Sequence, residues 1–344
     1  MDLVSEPLLD PLRDPMQSVP ELRAGTLRRT MHLDVGPPAS WSSRGRELEV
    51  SGAARDIRAG SQGAEVLSAG SVHAVFDPAR VLVSLETDPD TPWAQEMVGT
   101  RAGGGFRRHL AEVAPQDSGA SLVRQLLEDL PAAALISGYA SLRLARRLGS
   151  QPGDLTPPGV LDRMTDMCSG WRGGGTATNS IALGRGVPIQ DCPLAPDLTG
   201  DDALSWHDIP PLELDWMRRR RLVDVYLDDD NRGARIWAMF RDTVGEGDGP
   251  EGDNTEMVLH EYGISGRLER HDDGIVIAGL EADPRVLPFV ECPAAASHVD
   301  TLIGTRLADL PRIVPEAIIG VASCTHLNDL LRSIGGIAEV LADR

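Results

Sequence analysis

The chain contains no lysine, and all 33 of its basic residues are arginine. This absence excludes enzymes that form a Schiff base between a lysine and pyridoxal phosphate or a carbonyl substrate. It also excludes a phosphate-binding loop of the Walker type, which uses a lysine. A coding bias toward arginine accounts for the composition, and the two exclusions hold whatever its origin.

Other signatures of common enzyme classes are also missing. The glycine triplets at 103–105 and 173–175 do not follow a strand in the GxGxxG pattern, and neither GxSxG nor HExxH occurs. The cysteines form no CxxC pair, which argues against a structural zinc site. They are Cys168, Cys192, Cys292 and Cys324. We therefore expect no cofactor and no bound metal.

Charge and hydropathy restrict the partners. The formal net charge of -19 repels nucleic acid phosphates and anionic lipid, so neither is expected as a partner. No apolar run approaches the length of a membrane span, which needs about 20 residues. We expect a cytoplasmic protein with reduced thiols that acts on a small molecule. The sequence does not decide between a monomer and a homodimer.

Several segments occur twice in the same order. Residues 82–89 (LVSLETDP) resemble 277–284 (IAGLEADP), and residues 97–101 (MVGTR) resemble 302–306 (LIGTR). Residues 131–142 (PAAALISGYASL) also resemble 315–327, and residues 28–35 (RRTMHLDV) resemble 219–225. These matches predict two copies of one unit, which would pack about a pseudo-twofold axis.

The pattern of each copy predicts an α+β fold, with strands first and helices second. We expect a flexible N-terminal arm at 1–26, a first repeat at 27–148, an insertion at 149–216 and a second repeat at 217–344. The insertion is rich in glycine and proline yet holds tryptophans, so it is interpreted as a lid, with a solvated linker as the alternative.

Period-two stretches predict eight half-buried antiparallel strands, near 28–35, 46–57, 71–77, 79–87, 219–227, 233–242, 255–263 and 274–281. Helices are predicted at 92–98, 121–129, 132–148, 161–171, 294–303 and 315–342. The acidic loop 245–254 lacks the ordered ligands of an EF-hand and is interpreted as a solvated turn.

His32 and Asp34 are the first candidates for chemistry. They stand two residues apart on a predicted strand, so they share one face, and Arg29 lies on the other. A carboxylate beside a histidine fixes the imidazole tautomer and raises its basicity. A histidine that is satisfied on an edge strand is the alternative interpretation.

Cys324, His326 and Asp329 form the second candidate group. His326 and Asp329 are three residues apart and share one helical face. Cys324 and His326 are two residues apart and would point in different directions if both were helical, which argues against a nucleophilic cysteine–histidine pair. The alternative is a buried thiol beside a histidine that bonds another helix.

Further candidates are weaker. Tyr139 follows a glycine and has a hydroxyl that can orient a substrate, and Trp171 and Cys168 lie in the insertion. The Arg55-Asp56 dipeptide has an echo at Arg241-Asp242, which is typical of structural ion pairs. His260-Glu261 and Arg267 lie on one predicted strand. We include Arg55, Cys168, Trp171 and Cys324 among the residues expected to bind substrate.

Residues 291–293 (ECP), 302–304 (LIG) and 323–330 (SCTHLNDL), with Arg29 and Thr30 on the first strand, resemble a bacterial family known as domain of unknown function 2889. The resemblance extends over most of the chain beyond residue 27, the CTHL motif is fairly specific to the family, and Ser323 stands where the family often has glycine. The resemblance implies a role in the catabolism of aromatic or other hydrophobic compounds.

Together these features favour a cofactor-independent lyase that eliminates or hydrates a small aromatic substrate, for example by releasing a side-chain hydroxymethyl group. His32 or His326 would take a proton, Asp34 or Asp329 would orient the imidazole, and Arg29 or Tyr139 would stabilise an oxyanion. The alternatives are a protein that binds a hydrophobic ligand without turnover, and a metal-dependent hydrolase or lyase that uses His32, Asp34 and His326.

Overall fold

The computed structural model describes most of the chain. The described residues are 13–36, 47–61, 63–115, 121–147, 149–150, 156, 158–189, 191–199, 204–228, 233–247, 254–272 and 274–342. Residues 248–253 of the predicted acidic turn and residues 1–12 of the predicted arm lie outside this part.

A single eight-stranded antiparallel sheet organises the molecule, in the order β4-β3-β2-β1-β5-β6-β7-β8. The strands are β1 Thr26–Val35, β2 Leu48–Gly60, β3 Gly63–Phe76, β4 Leu82–Asp88, β5 Met217–Leu227, β6 Gly233–Gly247, β7 Asn254–His271 and β8 Gly274–Pro284. The predicted α+β class and the eight antiparallel strands are therefore confirmed. Because β1 pairs with β2 on one side and β5 on the other, His32 lies on a central strand and the edge-strand interpretation is wrong.

Every residue of β1 is buried, because both faces of the sheet centre are covered. Along this strand Met31, Leu33 and Val35 pack toward helices, whereas Arg28, His32 and Asp34 face the opposite way. The two faces are called here the helix face and the cover face. Because β1 is buried on both faces, its sequence mixes apolar and charged residues.

The helix face carries two apolar cores, one under each half of the sheet. The helices of the chain are α1 Phe106–Val113, α2 Ser121–Arg147, α3 Val160–Met164, α4 Thr176–Ala182, α5 Leu310–Ala317, α6 Thr325–Gly335 and α7 Ala338–Ala342. Helices α1 and α2 pack on β1–β4 through leucines of α2, and α5–α7 pack on β5–β8. Short 3₁₀ helices at Pro92–Met97 and Cys292–Leu302 precede the two similar pentamers.

Irregular segments at 13–25, 193–199 and 204–212 cover the opposite face. Met16, Leu198 and Trp206 from these segments pack on Leu222 and Met239 of the sheet. Their carbonyl groups also accept hydrogen bonds from buried arginines: Arg28 donates to Pro20 at 2.6 Å, Arg218 to Pro210 at 2.6 Å and Arg241 to Pro196 at 2.8 Å. Guanidinium groups therefore hold these segments together with a short backbone bridge between Leu194 and Met257.

Helix boundaries differ from the predictions at three places. Helix α2 continues through Pro131, because apolar residues on both sides of it are buried against the sheet. The predicted helix 161–171 is instead α3 and a 3₁₀ turn at Ser169–Trp171, separated by Asp166 in the left-handed region with φ 61°. The predicted helix 315–342 is interrupted at 318–324 and again after Gly335.

The two similar pentamers make the same contacts at the two edges of the sheet. Gly99 donates its N–H to the Leu82 carbonyl, and Gly304 donates to the Ile277 carbonyl, both at 2.8 Å. The next carbonyls, those of Thr100 and Thr305, accept from the same two strand residues at 3.0 Å. Both glycines have positive φ, 91° and 88°, which a side chain would oppose.

Two reciprocal ion pairs join the halves across β1 and β5. Arg28 donates to both oxygens of Asp224 at 2.7 Å, and Arg218 donates to both oxygens of Asp34 at 2.6 Å. All four side chains are almost fully buried. Removing one partner of such a pair leaves an uncompensated buried charge.

We expect the substitution Arg28→Met to lower the free energy of unfolding by roughly 3–5 kcal/mol, because Asp224 would lose its buried counter-charge. The matched control is Arg58→Met, whose arginine lies 3.8 Å from Glu65 at the surface. The control should cost under about 1 kcal/mol. Urea unfolding followed by tryptophan fluorescence measures both, and equal losses would contradict a structural role for the pair.

Candidate functional site

Two polar clusters lie at the centre of the sheet, one on each face. The cover-face cluster consists of Thr30, His32, Asp34, His207 and Arg218. The helix-face cluster consists of Arg219, Asp242, His260, His326 and Asp329. Each brings together residues far apart in sequence, so the strand register decides which groups meet.

In the cover-face cluster, His32 and Asp34 share a face, but each has another partner. Asp34 is held by Arg218. His32 Nδ1 lies 2.6 Å from Nε2 of His207, whose Nδ1 lies 2.8 Å from the Thr30 hydroxyl. His207 comes from the segment between the two halves, a contribution that strand periodicity does not reveal.

Burial lowers the pKa of both histidines to about 3, with a further contribution from nearby cations. For His32 these cations are Arg218 and Arg220. Both imidazoles are therefore neutral at pH 7, and the short contact between them holds one shared hydrogen. The pair connects the cover segment to β1.

Other predicted site residues lie apart from this cluster. Arg29 is on the helix face, where it donates to both oxygens of Asp56 at 2.7 Å and to the Gln125 carbonyl oxygen at 2.8 Å. Arg55 donates to the Leu204 carbonyl at 3.3 Å. Tyr139 lies on α2, and its side chain is outside the described part of the structure.

The helix-face cluster is built around Asp242 of β6, which is fully buried. Arg219 of β5 donates to both of its oxygens, at 2.9 and 3.0 Å. Nδ1 of His260 lies 3.4 Å from Asp242 Oδ2, and Nε2 of His326 lies 3.8 Å from the same oxygen. Burial alone would raise the pKa of Asp242, but Arg219 and His260 outweigh burial and hold it below its usual range.

The imidazoles of His260 and His326 are stacked, with centroids 3.9 Å apart and planes inclined by 21°. Burial and the neighbouring His260 hold the pKa of His326 well below its ordinary value. Phe240 also lies close to His326, with ring centroids 5.6 Å apart and planes inclined by 37°. His326 is therefore a neutral imidazole in contact with an aromatic ring and a second imidazole, close to the carboxylate of Asp242.

Asp329, which was expected beside His326, is engaged by arginines instead. Arg107 donates to its Oδ1 at 2.8 Å, and Arg219 donates to its Oδ2 at 3.3 Å. Burial would raise the pKa of Asp329, yet Arg107 and Arg219 bring it down to about 2. The structure thus places Asp242, rather than Asp329, next to the imidazole of His326.

Cys324 and His326 do approach each other, contrary to the expectation from helical spacing. Cys324 precedes α6 with extended dihedrals, φ -131° and ψ 126°, so only His326 is on the helix. The Cys324 Sγ lies 3.8 Å from His326 Nδ1. The expectation failed because the helix begins one residue after the cysteine.

The insertion lies against this motif. The N–H of Ser169 donates to the Ser323 carbonyl at 2.7 Å, which places the neighbouring Cys168 beside Cys324. Trp171 packs edge-on against Phe289, with centroids 6.1 Å apart. Three residues expected to bind substrate, Cys168, Trp171 and Cys324, are therefore on one side of the molecule, and Arg55 is elsewhere.

The thiols in this region are protonated. Burial raises the pKa of Cys168 to about 11, and it also raises the pKa of Cys292 and of Cys324. The Tyr262 hydroxyl is buried nearby and donates to the Cys292 carbonyl at 3.2 Å. A thiolate nucleophile is disfavoured here, so the imidazoles are the groups suited to proton transfer.

Sequence reasoning found part of this site. Cys324, His326, Asp329, the Arg241-Asp242 echo and the strand with His260 were all singled out. Arg219, Tyr262 and His207 were not. The signal for Arg219 was present in the similarity of 219–225 to 28–35, because Arg29 and Arg219 each hold an aspartate on the neighbouring strand.

The fold and this site define an α+β protein with two stacked, largely buried imidazoles beside the carboxylate of Asp242. Residues 217–339 match the model of a family described as protein of unknown function (DUF2889), so the resemblance is confirmed over this part of the chain. The matched region is a little over a third of the sequence and contains β5–β8 and the whole helix-face cluster.

Comparisons with curated proteins and with solved structures gave no match. Among the described residues, no helix is both long enough and apolar enough to cross a membrane.

The histidine pair on the cover face predicts acid sensitivity. Above pH 6.5 both imidazoles are neutral in the folded and the unfolded chain, so they impose no penalty. As pH falls from about 6.5 toward 3, the unfolded chain takes up protons that the folded chain does not, and stability decreases by up to about 1.4 kcal/mol per pH unit for each histidine.

Replacing His207 by asparagine should reduce this slope, because one of the two depressed groups is removed. The control is His73→Asn at an exposed histidine that pairs with Glu49. Urea unfolding at several pH values between 7 and 4 measures the slopes. An unchanged slope in the His207 variant would contradict the assignment.

Proposed function

We propose that the protein is a lyase that acts on a small aromatic or hydrophobic compound by general acid–base catalysis, and that His326 is the proton acceptor. The observation that carries this proposal is the stacked, buried pair of His260 and His326 beside the single carboxylate of Asp242. A reaction that removes a proton needs a base that is unprotonated at the working pH, and the lowered pKa of His326 keeps its imidazole unprotonated.

The electrostatics of the cluster suit this role. Two imidazoles whose centroids are 3.9 Å apart cannot both be cationic without strong repulsion, so the pair takes up at most one proton beyond those of the two neutral rings. Asp242 is ionised and can stabilise the imidazolium that forms when His326 accepts a proton. Arg219, fixed by Asp242 and Asp329, keeps that carboxylate in place.

The surroundings favour an apolar substrate. His326 contacts Phe240, and the nearby segment contributes Trp171 against Phe289. We infer that residues 158–189 act as a lid, because this segment is connected to the motif through Ser169 and Ser323. An aromatic ring placed among these side chains would be held by packing and would displace few ordered polar contacts.

The reaction that we favour releases a side-chain hydroxymethyl group as formaldehyde. His326 would remove the hydroxyl proton, the carbon–carbon bond would break to give the carbonyl product, and the electron pair would take up a proton or expel a leaving group from the adjacent carbon. A hydration or an elimination of water would use the same base. No cofactor enters either scheme.

A metal-dependent lyase or hydrolase is the second candidate. One ligand atom each from Asp242, His260 and His326 lies within 4.8 Å of the others, which suits a divalent ion. The ring arrangement favours it less. Two imidazoles bound to one zinc, at about 2.1 Å and a tetrahedral angle, would have centroids about 5 Å apart, so the stack would have to open.

We expect His326→Ala to reduce turnover by about 10²–10⁴-fold, because the base is lost. The control His109→Ala removes an exposed histidine, and His32→Ala tests the cover-face cluster, which should be dispensable for chemistry. Formaldehyde release from a panel of aromatic primary alcohols is the readout. Full turnover in the His326 variant would overturn the proposal.

Two further measurements separate the alternatives. Elemental analysis of the purified protein that finds stoichiometric zinc, iron or manganese would favour the metal-dependent mechanism. Calorimetric binding of an aromatic alcohol without any product would favour a protein that binds a hydrophobic ligand and does not change it.

We also infer that the chain arose by internal duplication. The strand order has four strands on each side of the β1–β5 boundary, the ion pairs across that boundary are reciprocal, and the pentamers make equivalent edge contacts. In the first half, Asp56 is bound by Arg29 and Ser68, whereas in the second half Asp242 is bound by Arg219 beside His260. The second half would then be the one that keeps the chemistry.

A cytoplasmic location and a homodimer are further proposals. The four cysteines are free thiols, which is the state that a reducing compartment favours. Light scattering of the purified protein would give the number of chains in solution, and fractionation of cells would give the compartment.

A further inference from the structure

The two ring nitrogens of His326 face different groups. Nε2 lies 3.8 Å from Oδ2 of Asp242, and Nδ1 lies 3.8 Å from Sγ of Cys324. A neutral imidazole carries one ring hydrogen, so one nitrogen is an N–H donor and the other is an acceptor with a lone pair. The groups beside the two nitrogens therefore decide where the hydrogen is.

On the Nε2 side the neighbour is an anion that can only accept. Burial alone would raise the pKa of Asp242, but Arg219 and His260 lower it, so the carboxylate is ionised. An ionised carboxylate repels a nitrogen lone pair and attracts the positive end of an N–H bond. Nε2 is buried and makes no hydrogen bond within the described part of the chain, so this attraction is electrostatic and acts without competition from water.

The arginine bound to the same carboxylate does not cancel this preference. Burial and His260 lower the pKa of His326 most, Asp242 opposes them, and Arg219 adds a lowering that is smaller than the effect of Asp242. The field at the imidazole therefore has the sign that the carboxylate gives it. It favours the tautomer with the hydrogen on Nε2.

On the Nδ1 side the neighbour is a thiol that keeps its hydrogen. Burial raises the pKa of Cys324, so its sulfur is protonated. A thiol is a weak donor and a weak acceptor, and a lone pair on an imidazole nitrogen is a better acceptor than sulfur. An S–H group that points at Nδ1 therefore agrees with a hydrogen on Nε2, and both neighbours select the same tautomer.

The same arrangement decides from which side a substrate reaches the base. His260 is stacked on the ring of His326, and Asp242 lies against its Nε2 edge. The Nδ1 edge faces Cys324, beside which the bond from Ser169 to Ser323 places the segment interpreted above as a lid. A substrate under that segment would meet Nδ1 first.

We infer that Asp242 holds His326 with its hydrogen on Nε2, so that Nδ1 accepts the substrate proton at the position where the Cys324 thiol now lies. Asp242 is then a positioning residue, because it acts through the imidazole, and Cys324 contacts the substrate hydroxyl. The tautomer follows from the resting structure, whereas the role of Nδ1 rests on the function proposed above. In that reaction the substrate O–H bond breaks, the proton forms an N–H bond at Nδ1, and the electron pair stays on oxygen for the carbonyl group.

The first test is nitrogen-15 NMR of the full chain at pH 7 with labelled histidine, because protonated and unprotonated ring nitrogens have well separated chemical shifts. The signals of His326 are those that His326→Ala removes. We expect Nε2 to have the shift of a protonated nitrogen and Nδ1 that of an unprotonated one. The reverse assignment would overturn the inference.

Two buried aspartates offer a matched pair of substitutions, since Arg219 donates to both. Asp242→Asn removes the charge beside Nε2 and should give a mixture of the two tautomers, with turnover lower by about 10²-fold. Asp329→Asn removes the same charge from a carboxylate that Arg107 and Arg219 bind away from Nε2, and it should keep the tautomer. An unchanged His326 spectrum in Asp242→Asn would contradict the role of Asp242. If that variant fails to fold, the spectrum of the unmodified chain still decides the tautomer.

Substitutions of Cys324 examine the other nitrogen. Cys324→Ala should keep the hydrogen on Nε2 and move the Nδ1 signal toward that of a lone pair without a hydrogen bond, whereas Cys324→Ser should retain the bond. Cys192→Ala, at a thiol beside Arg143, is the control and should change neither signal. A hydrogen that moves to Nδ1 in Cys324→Ala would show that the thiol, and not Asp242, sets the tautomer.

Benzyl alcohol separates the two parts of the inference. Added to the unmodified chain, it should shift the Nδ1 signal and leave the Nε2 signal in place. A response at Nε2 instead would overturn the role of Nδ1. The expected tautomer without any response to benzyl alcohol, and without turnover of any aromatic primary alcohol, would refute the proposed function and the role of Nδ1 together, while the tautomer set by Asp242 would stand.

Discussion

Reciprocal arginine–carboxylate pairing across β1 and β5 is the constraint on which the rest of the structure depends. Arg28 with Asp224 and Arg218 with Asp34 fix one register for the two central strands, since a slip would bury four charges without partners. Buried ion pairs add little stability relative to apolar packing, but they penalise the wrong arrangement strongly. Arginine suits this position better than lysine, because its planar group binds a carboxylate with two donors and keeps others for the carbonyls of the covering segments.

The same register assembles the helix-face cluster on the other face of the sheet. With β5 fixed, Arg219 meets Asp242 on β6, and a bulge after Asp242 brings His260 of β7 beside that carboxylate. Helix α6 places His326 near Asp242, and Asp329 of the same helix accepts a hydrogen bond from Arg219. The candidate site therefore consists of one more arginine–aspartate pair, Arg219 with Asp242, to which imidazoles have been added.

Strand periodicity was sufficient to predict the sheet and the α+β class, because alternation is a local property of the backbone. The site was predicted only in pieces. His326 and Asp242 are 84 positions apart, and nothing local in the sequence says that β6 and α6 meet. His207 comes from an irregular segment, and Cys324 approaches His326 because α6 begins only after the cysteine, within the stretch predicted as one helix. Side chains that meet through register and helix capping lie beyond what periodicity can describe.

The two glycine–threonine–arginine pentamers also bear on how copies of this protein avoid one another. A long antiparallel sheet ends in two strands whose outer backbone groups can recruit a strand from another molecule. On β4 the pentamer occupies the backbone groups of Leu82, the first residue of the strand, and on β8 it occupies those of Ile277, the fourth residue, so part of each edge is closed by the chain itself. Loosening either turn would expose further unpaired backbone groups to which a strand of another molecule could add. The two glycines with positive φ therefore limit edge-to-edge association as well as shaping the turns.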